Sequence, residues 1–191
     1  MSTDYDPFKR LFDVIISLLA AALLAPIFLV IAALVVITDG MPIFFRQTRV
    51  GQGGRTFGLW KFRTMVRNAA SVGGYQTVAG DPRITSFGRI LRKTSLDELP
   101  QIWNVLVGHM SLVGPRPDTP QQQSDYTQDD WQRRTSVRPG LTGLAQVVYK
   151  RRPTDMTRTE LDLDYIARRS FGLDMQILCM TVGTVVRLKN R

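Results

Sequence analysis

The chain has 191 residues, enough for one domain of ordinary size or for one domain with an appendage. Its composition, 44% hydrophobic and 21% charged, excludes a disordered, collagen-like or coiled-coil chain, and its single cysteine and single histidine exclude an intramolecular disulfide, a cysteine-based zinc site and a two-histidine metal site. The formal charge of +9, with 20 arginines among 25 basic residues, predicts a polyanionic partner: nucleic acid, anionic lipid headgroups or a phosphorylated small molecule.

Residues 14–37 form an uncharged, almost wholly apolar run of 24 residues. A straight helix of this length is about 36 Å long and could cross a ~30 Å hydrocarbon core, but Pro26 divides it into halves of about 18 Å that are too short to cross. Basic residues flank both ends: Lys9 and Arg10 before the run, and Arg46, Arg49 and Arg55 after it. Because the positive-inside rule puts both flanks in the cytoplasm, we predict a re-entrant helix-break-helix bent at Pro26; a simple span is the alternative.

The segment after this run reads as a small β-hairpin. Residues 43–46 and 56–62 have the composition of short strands, and the glycine-rich stretch 51–54 supplies the turn between them. We therefore expect an antiparallel pair directly after the membrane segment.

The rest of the chain reads as mainly helical. Helices are predicted at 94–106, 159–169 and 175–189, and the proline- and glycine-rich stretches 114–117 and 138–143 are predicted to be irregular. The apolar run in the last helix is followed by basic residues, so this helix suits either a membrane surface, as an amphipathic interfacial helix, or core packing. Trp103 is expected to pack in the core. The predicted fold is α+β and mainly helical, with a membrane hairpin at residues 1–40 and a second domain at residues 41–191.

Asp97 and Glu98 form the acidic pair with the most chemical interest. Ser95 and Glu98 match a capping box, so structural capping of a helix is one interpretation. The alternative uses one carboxylate as a nucleophile toward phosphorus and the other as a ligand of Mg²⁺, which takes one or two carboxylates together with substrate phosphates and water. Basic residues that flank the pair could bind a diphosphate, although each could equally be a solvated surface charge: Arg83, Arg89, Arg92, Lys93 and Arg116.

Six stretches in order along the chain resemble the monotopic phosphoglycosyltransferases, the bacterial sugar transferase family in its minimal catalytic form. They are Phe44-Phe45-Arg46-Gln47-Thr48-Arg49-Val50-Gly51, Lys61-Phe62-Arg63-Thr64-Met65, Leu91-Arg92-Lys93-Thr94-Ser95-Leu96-Asp97-Glu98-Leu99-Pro100-Gln101, Asn104-Val105-Leu106, Met110-Ser111-Leu112-Val113-Gly114-Pro115-Arg116-Pro117 and Arg138-Pro139-Gly140-Leu141-Thr142-Gly143.

The resemblance implies an Mg²⁺-dependent transfer of a phosphosugar from a UDP-sugar to polyprenol phosphate such as undecaprenyl phosphate, with release of UMP. Asp97 matches the nucleophile that forms a covalent phosphosugar intermediate, Glu98 the metal ligand, and Arg116 the phosphate-contacting arginine. Arg92 matches a basic residue close to the pair, and Lys61, Arg63 and Arg138 fall in motifs near the site, so all four are candidate substrate-binding residues.

The resemblance also implies a monotopic enzyme with a re-entrant hairpin on the cytoplasmic face of the bacterial inner membrane, in contact with membrane lipid. Three features differ from the family pattern: Ala25 precedes Pro26 in place of serine, His109 replaces a residue that is often acidic, and Val148-Tyr149-Lys150 replaces Asn-Gly-Arg. The sugar, the polyprenol, the pathway and homo-oligomer formation are left open.

Two other function classes could use a basic chain of this kind. A non-catalytic, membrane-attached polybasic module that binds anionic lipid would explain the charge and the apolar run, but not the acidic pair. Nucleic-acid binding is not expected, because the sequence contains no recognisable nucleic-acid-binding module.

Overall fold

The N-terminal apolar run forms one long helix. The computed structural model describes residues 5–69, 78, 80–151 and 154–189. Helix α1, Tyr5–Asp39, continues through Pro26, so the predicted interruption of the helix at this residue is not confirmed. By length and composition α1 could cross a membrane, and most of its apolar middle faces outward.

Both ends of α1 are bonded to the rest of the chain. Near its start, the Arg10 guanidinium donates to the carbonyl groups of Val105 and Leu106 at 2.6 and 2.7 Å. At its end, the Arg63 guanidinium donates to the carbonyl groups of Asp39 and Gly40 at 2.5 and 2.6 Å. One face of the helix is buried along its length at Asp13, Ser17, Ile31 and Val35.

The predicted β-hairpin is confirmed. Strands β1, Phe44–Val50, and β2, Thr56–Phe62, pair antiparallel with Phe44 opposite Phe62 and Val50 opposite Thr56. A short 3-10 turn at Gln52–Gly54 joins them, and Gly53 and Gly54 adopt φ angles of 67° and 74°, which glycine adopts without strain. Lys61 at the end of β2 is thereby fixed next to the following helices.

The region predicted as one helix at 94–106 is broken into three pieces, so that prediction is wrong. Helix α2, Ser86–Thr94, is followed by a 3-10 turn at Leu96–Glu98 and then by helix α3, Gln101–Leu106. Pro100 lies at the junction, and because proline has no N–H it cannot donate the hydrogen bond that would continue one helix across this position. Trp103 on α3 is 60% exposed, which contradicts the expectation of core packing.

Two short strands after α3 form a second, parallel sheet. Strand β3, Ser111–Val113, pairs with β4, Gly140–Thr142, where an irregular stretch was predicted. The backbones approach so closely that a Cβ at Gly140 would overlap Gly114. Between these strands the chain contains the irregular segment 114–119, a 3-10 turn at Pro120–Asp125 and helix α4, Gln128–Thr135.

Three helices complete the fold: α5, Leu144–Arg151, α6, Arg158–Arg168, and α7, Phe171–Lys189. The last two confirm the predicted pair of C-terminal helices, and α7 begins four residues earlier than expected. Arg187 and Lys189, behind its apolar run, lie within α7, Arg191 lies outside the described residues, and the interfacial alternative for this helix stays a prediction. The side chain of Asp174 on α7 accepts hydrogen bonds from Lys9 and Tyr5 of α1 at 2.6 and 2.8 Å.

The apolar side chains form two clusters. The larger contains residues of β2, β3 and helices α3, α5, α6 and α7, and the first half of α1 packs against it. The smaller joins the second half of α1 to the hairpin and α2 through Ile31, Val35, Phe62 and Leu91. The fold is thus mainly helical with a small hairpin, as the sequence predicts, and it contains a second small sheet that the sequence analysis did not predict.

Candidate active site

The backbone presents Asp97 and Glu98 on a tight turn rather than on the first turn of an α-helix. Ser95 adopts φ 58° and ψ 17°, a left-handed conformation that ends α2, and the 3-10 turn Leu96–Glu98 starts immediately after it. Ser95 makes no side-chain capping bond, so the capping box that the sequence suggests is not formed. The acidic pair is therefore free of the helix-capping role that was the alternative interpretation.

Asp97 is buried and only loosely paired. Its residue is 7% exposed, and Lys61 Nζ lies 4.0 Å from Oδ2. Burial raises the pKa of Asp97, Lys61 lowers it and neighbouring Glu98 raises it, so that the net direction is upward. Lys61 Nζ is too far from Asp97 Oδ2 to form a short hydrogen bond with it. The charge of Lys61 therefore partly neutralises an ionised Asp97, but Lys61 does not occupy a lone pair of Oδ2.

Glu98 is the more strongly paired of the two acids. Its Oε1 accepts from Lys61 Nζ at 2.8 Å and from Arg116 Nη2 at 2.7 Å. Burial raises the pKa of Glu98, but the charges and hydrogen bonds of Arg116 and Lys61 outweigh it and lower the pKa to about 2. Glu98 is therefore ionised throughout the ordinary pH range, next to an aspartate with the opposite shift.

One cavity of about 2040 Å³ contains this cluster and extends to α1. Ala20 and Leu24 of α1 line one part, and Leu178, Thr181 and Thr184 of α7 line another. Arg92, Lys61, Arg116 and both acids line the same cavity. A polyanionic group and an apolar chain can thus occupy adjoining parts of the same cavity.

Comparison with known proteins identifies the family. The model of the bacterial sugar transferase family matches residues 4–188. The chain belongs to this family. The resemblance noted in the sequence is therefore confirmed.

Three relatives in the family show how much of the length is shared. The Klebsiella pneumoniae UDP-glucose:undecaprenyl-phosphate glucose-1-phosphate transferase is 44% identical over 182 residues, covering 92% of this chain and 39% of the relative. The Rhizobium leguminosarum bv. phaseoli exopolysaccharide production protein PSS is 42% identical over 189 residues, covering 93% of each chain. The Aeromonas hydrophila UDP-N-acetylgalactosamine-undecaprenyl-phosphate N-acetylgalactosaminephosphotransferase is 39% identical over 183 residues, covering 93% of this chain and 43% of the relative. The chain thus spans about two fifths of the first and third relatives and nearly all of the second.

Six of the seven candidate catalytic and substrate-binding residues line the cavity, and five of the six form or adjoin the acidic pair. These five are Asp97, Glu98, Lys61, Arg92 and Arg116. They come from α2, β2, the 3-10 turn and the segment after β3. Arg92 Nε also donates to Thr64 Oγ1 at 2.8 Å, which fixes the guanidinium beside the acidic pair.

The other two candidates are placed differently. Arg63 lines the cavity but is only 6% exposed, and its guanidinium is used at the end of α1. Arg138 donates through Nε to the Gly108 carbonyl at 3.1 Å and is absent from the described residues that line the cavity. Proximity in sequence to a functional motif was not enough to place Arg138 at the site.

Several cavity residues were not singled out from the sequence. Thr181 and Thr184 on α7, Thr142 on β4 and Gln146 on α5 all line the cavity. Thr181 and Thr142 are hydrogen-bonded to each other at 2.8 Å. The available signal was weak: hydroxyl-bearing residues interrupt the apolar run of the last helix, at positions that face the rest of the fold.

The acids of the site limit how a divalent metal could bind. Within the described residues there is no group of three or more histidine, cysteine or acidic side chains placed to bind a metal. Asp97 and Glu98 together offer the one or two carboxylates that Mg²⁺ typically takes from a protein, with phosphate oxygens and water supplying the other ligands. The donor set therefore fits Mg²⁺ delivered with a phosphorylated substrate.

Proposed function

We propose that this chain transfers a sugar phosphate from a UDP-sugar to polyprenol phosphate, such as undecaprenyl phosphate, as a membrane step in bacterial polysaccharide or glycoconjugate assembly. The observation that carries the proposal is the continuous cavity that joins Asp97, Glu98, Lys61 and Arg116 to the apolar side chains of α1. A nucleotide sugar needs the cationic part of such a cavity, and a lipid phosphate needs both parts. The names of the relatives from Klebsiella and Aeromonas are consistent with this pair of substrates.

In the first proposed step, an Asp97 carboxylate oxygen attacks the phosphorus atom that carries the sugar. An oxygen–phosphorus bond forms to Asp97, the diphosphate bond breaks, and UMP departs with the bonding electron pair. Lys61 and Arg116 already lie against Glu98, so their charges are positioned to stabilise the developing charge on the phosphate oxygens.

In the second proposed step, a phosphate oxygen of the polyprenol phosphate attacks the same phosphorus atom. The bond to Asp97 breaks, the carboxylate is regenerated, and the product is a sugar joined to polyprenol through a diphosphate. A covalent intermediate suits an enzyme whose two substrates come from different phases, because each step then needs only one of them in the cavity.

Glu98 is proposed to bind Mg²⁺, with Asp97 close enough to contribute. When bound, Mg²⁺ would neutralise the diphosphate and stabilise the charge of the departing nucleotide. Lys61 and Arg116 share Oε1 of Glu98, so part of the site's positive charge is already supplied by the chain itself.

The proposed location is the cytoplasmic face of the inner membrane, with α1 re-entrant. Arg10 and Arg63 bond the two ends of α1 to the same folded body, which supports placing both ends on one side of the bilayer. Leu23 and Leu29 near the middle of the helix are 79% and 69% exposed, as lipid-facing residues would be. Reporters fused at each end should both be found on the cytoplasmic side, whereas opposite sides would support a simple span.

The function is tested with purified protein, undecaprenyl phosphate and a panel of UDP-sugars that includes UDP-glucose and UDP-N-acetylgalactosamine, with released UMP as the measurement. We expect UMP release from at least one donor, dependent on Mg²⁺ and abolished in Asp97→Asn. Binding to anionic vesicles without UMP release from any donor would instead support the polybasic lipid-binding module.

A further inference from the structure

The segment that carries Arg116 is fixed through its backbone at four consecutive positions. Each carbonyl group of Pro115–Asp118 accepts a hydrogen bond, and the donors come from β1, α4, β4 and α6. The donors are Gly140 N–H to Pro115 at 2.8 Å, Arg134 and Arg158 to Arg116 at 2.7 and 2.9 Å, Arg49 to Pro117 at 2.9 Å, and Val50 N–H to Asp118 at 2.8 Å. The prolines on either side of Arg116 also restrict φ, so little backbone freedom remains.

The carbonyl of Arg116 receives two of these bonds, both from guanidinium groups. Arg134 on α4 and Arg158 on α6 each donate through Nη2, which uses both lone pairs of that oxygen. The side chain of Arg116 extends in another direction and donates to Glu98. Arg116 thus accepts hydrogen bonds from two arginines at its carbonyl group and donates one from its side chain to Glu98.

Two buried carboxylates keep the two arginines in place. Asp118 accepts from Arg134 through Oδ2 and from Arg158 through Oδ1, the latter at 2.8 Å. Asp162 accepts from Arg134 Nε and Nη2 at 3.0 and 2.8 Å. The side chains of Arg134, Asp118 and Asp162 are 3%, 1% and 2% exposed, and that of Arg158 is 35% exposed. The cluster contains two charges of each sign, so it can be buried without net charge.

We propose that Arg158, together with Arg134, is a positioning residue for the transfer reaction: it touches no substrate and acts by fixing the backbone from which Arg116 reaches the acidic pair. This inference rests on the proposed function. Catalysis depends on the placement of charged groups to within a fraction of an ångström, so a bond to the carbonyl of Arg116 bears on the rate although it lies outside the cavity.

The test is a double-mutant cycle between Arg158 and Arg116, measured as UMP release with the best donor. Arg158 is the member of the cluster to replace, because it is partly exposed and because Asp118 keeps Arg134 and Tyr126 as partners after its removal. We expect Arg158→Met to lower kcat/KM by about 10- to 100-fold in the wild-type background. In the Arg116→Lys background the same change should cost less than about twofold, because the residue through which it acts has already been altered.

Arg168→Met is the matched control. Arg168 lies on the same helix, α6, and pairs with an aspartate four residues before it, as Arg158 pairs with an aspartate four residues after it. We expect this variant to keep the wild-type kcat/KM. Arg158→Lys, which can still donate one hydrogen bond, should recover part of the activity lost in Arg158→Met, and it also serves as the second variant should Arg158→Met fail to fold.

The possible results separate this inference from the proposed function. An equal loss from Arg158→Met in both backgrounds, or no loss at all, would overturn the inference while the wild-type protein remains active. Absence of UMP release by the wild-type protein would instead overturn the proposed function.

Discussion

Two charged clusters meet at residue 116, and they differ in how completely their acids are paired. Each contains two acids and two bases: Asp97, Glu98, Lys61 and Arg116 in the cavity, and Asp118, Asp162, Arg134 and Arg158 beneath it. In the lower cluster both acids accept short hydrogen bonds from arginine. In the cavity cluster Glu98 takes the short bonds of both bases, and Asp97 has Lys61 only at 4.0 Å.

The comparison indicates that buried charges have two uses in this fold, one structural in the lower cluster and one chemical in the cavity cluster. A fully paired cluster fixes the backbone because each of its groups has a defined partner, and breaking one pair leaves an uncompensated buried charge. An acid that is buried yet loosely paired keeps lone pairs available for a substrate. We therefore expect changes in the lower cluster to lower stability and to affect activity only through the position of Arg116, whereas changes at Asp97 should lower activity without lowering stability.

Asp97→Asn should have the largest effect on activity. The amide cannot act as the nucleophile, so we expect UMP release to fall by at least about 10³-fold. The fold should be unaffected, because burial already disfavours the charged form of Asp97. The rate and the Tm measured on the same preparation check both parts. Asp129→Asn on α4, which replaces an exposed aspartate in the same way, is the control, and substantial turnover by Asp97→Asn would exclude the covalent step.

Arg134→Met should have the largest effect on stability. It leaves Asp118 and Asp162 buried with fewer donors, which we expect to lower the free energy of unfolding by about 3–5 kcal/mol. The Tm in detergent measures this change. Arg133→Met, on the same helix with an exposed side chain, should change the Tm little. Equal Tm values for these two variants would show that the lower cluster does not stabilise the fold.

Glu98→Gln should lower activity by less than Asp97→Asn does. It removes the charge that Lys61 and Arg116 share, and we expect kcat to fall by about 10²-fold through weaker Mg²⁺ binding and disordered cationic groups. Raising the Mg²⁺ concentration should recover part of the loss. Wild-type Mg²⁺ dependence in this variant would contradict the role proposed for Glu98.

The pH dependence of kcat/KM should show the smallest effect, and it compares the ionisation of Asp97 with that of Glu98. Because burial raises the pKa of Asp97, kcat/KM should fall about tenfold per pH unit below that raised pKa, which lies above the ordinary aspartate value of about 3.9. Glu98, with a pKa of about 2, stays ionised over this range and contributes no limb to the profile.

Lys61→Met should move that limb to higher pH. The charge of Lys61 lowers the pKa of Asp97, so its removal leaves burial and Glu98 less opposed. Lys93→Met, at an exposed position on α2, is the control and should leave the limb where it is. A shift in the opposite direction would mean that Lys61 does not stabilise the ionised form of Asp97.

The sequence predicts the parts of the fold that depend on local pattern. The apolar run gives α1, the glycine turn gives the hairpin, and the motifs that contain Lys61, Asp97 and Arg116 indicate which charged groups meet. The sequence does not predict the break between α2 and α3, because Ser95 and Glu98 match a capping box. The left-handed conformation of Ser95 and the proline at position 100 favour a 3-10 turn instead.

The lower cluster could not be predicted, because its charges are separated by up to 44 residues and each looks like an ordinary surface charge in the sequence. Arg134 and Asp162 are far apart along the chain, and only the packing of α4 against α6 brings them together. Arg138 is the opposite case. It lies in a motif of the family, but its side chain is directed toward Gly108.

The most direct test of the proposed mechanism is mass spectrometry of the protein after incubation with a UDP-sugar and Mg²⁺ in the absence of acceptor. We predict a mass increase of one sugar phosphate on the peptide containing Asp97, formed together with one equivalent of UMP and lost when undecaprenyl phosphate is added. Turnover that requires both substrates together, with no adduct on Asp97 and no UMP released by the donor alone, would contradict the mechanism.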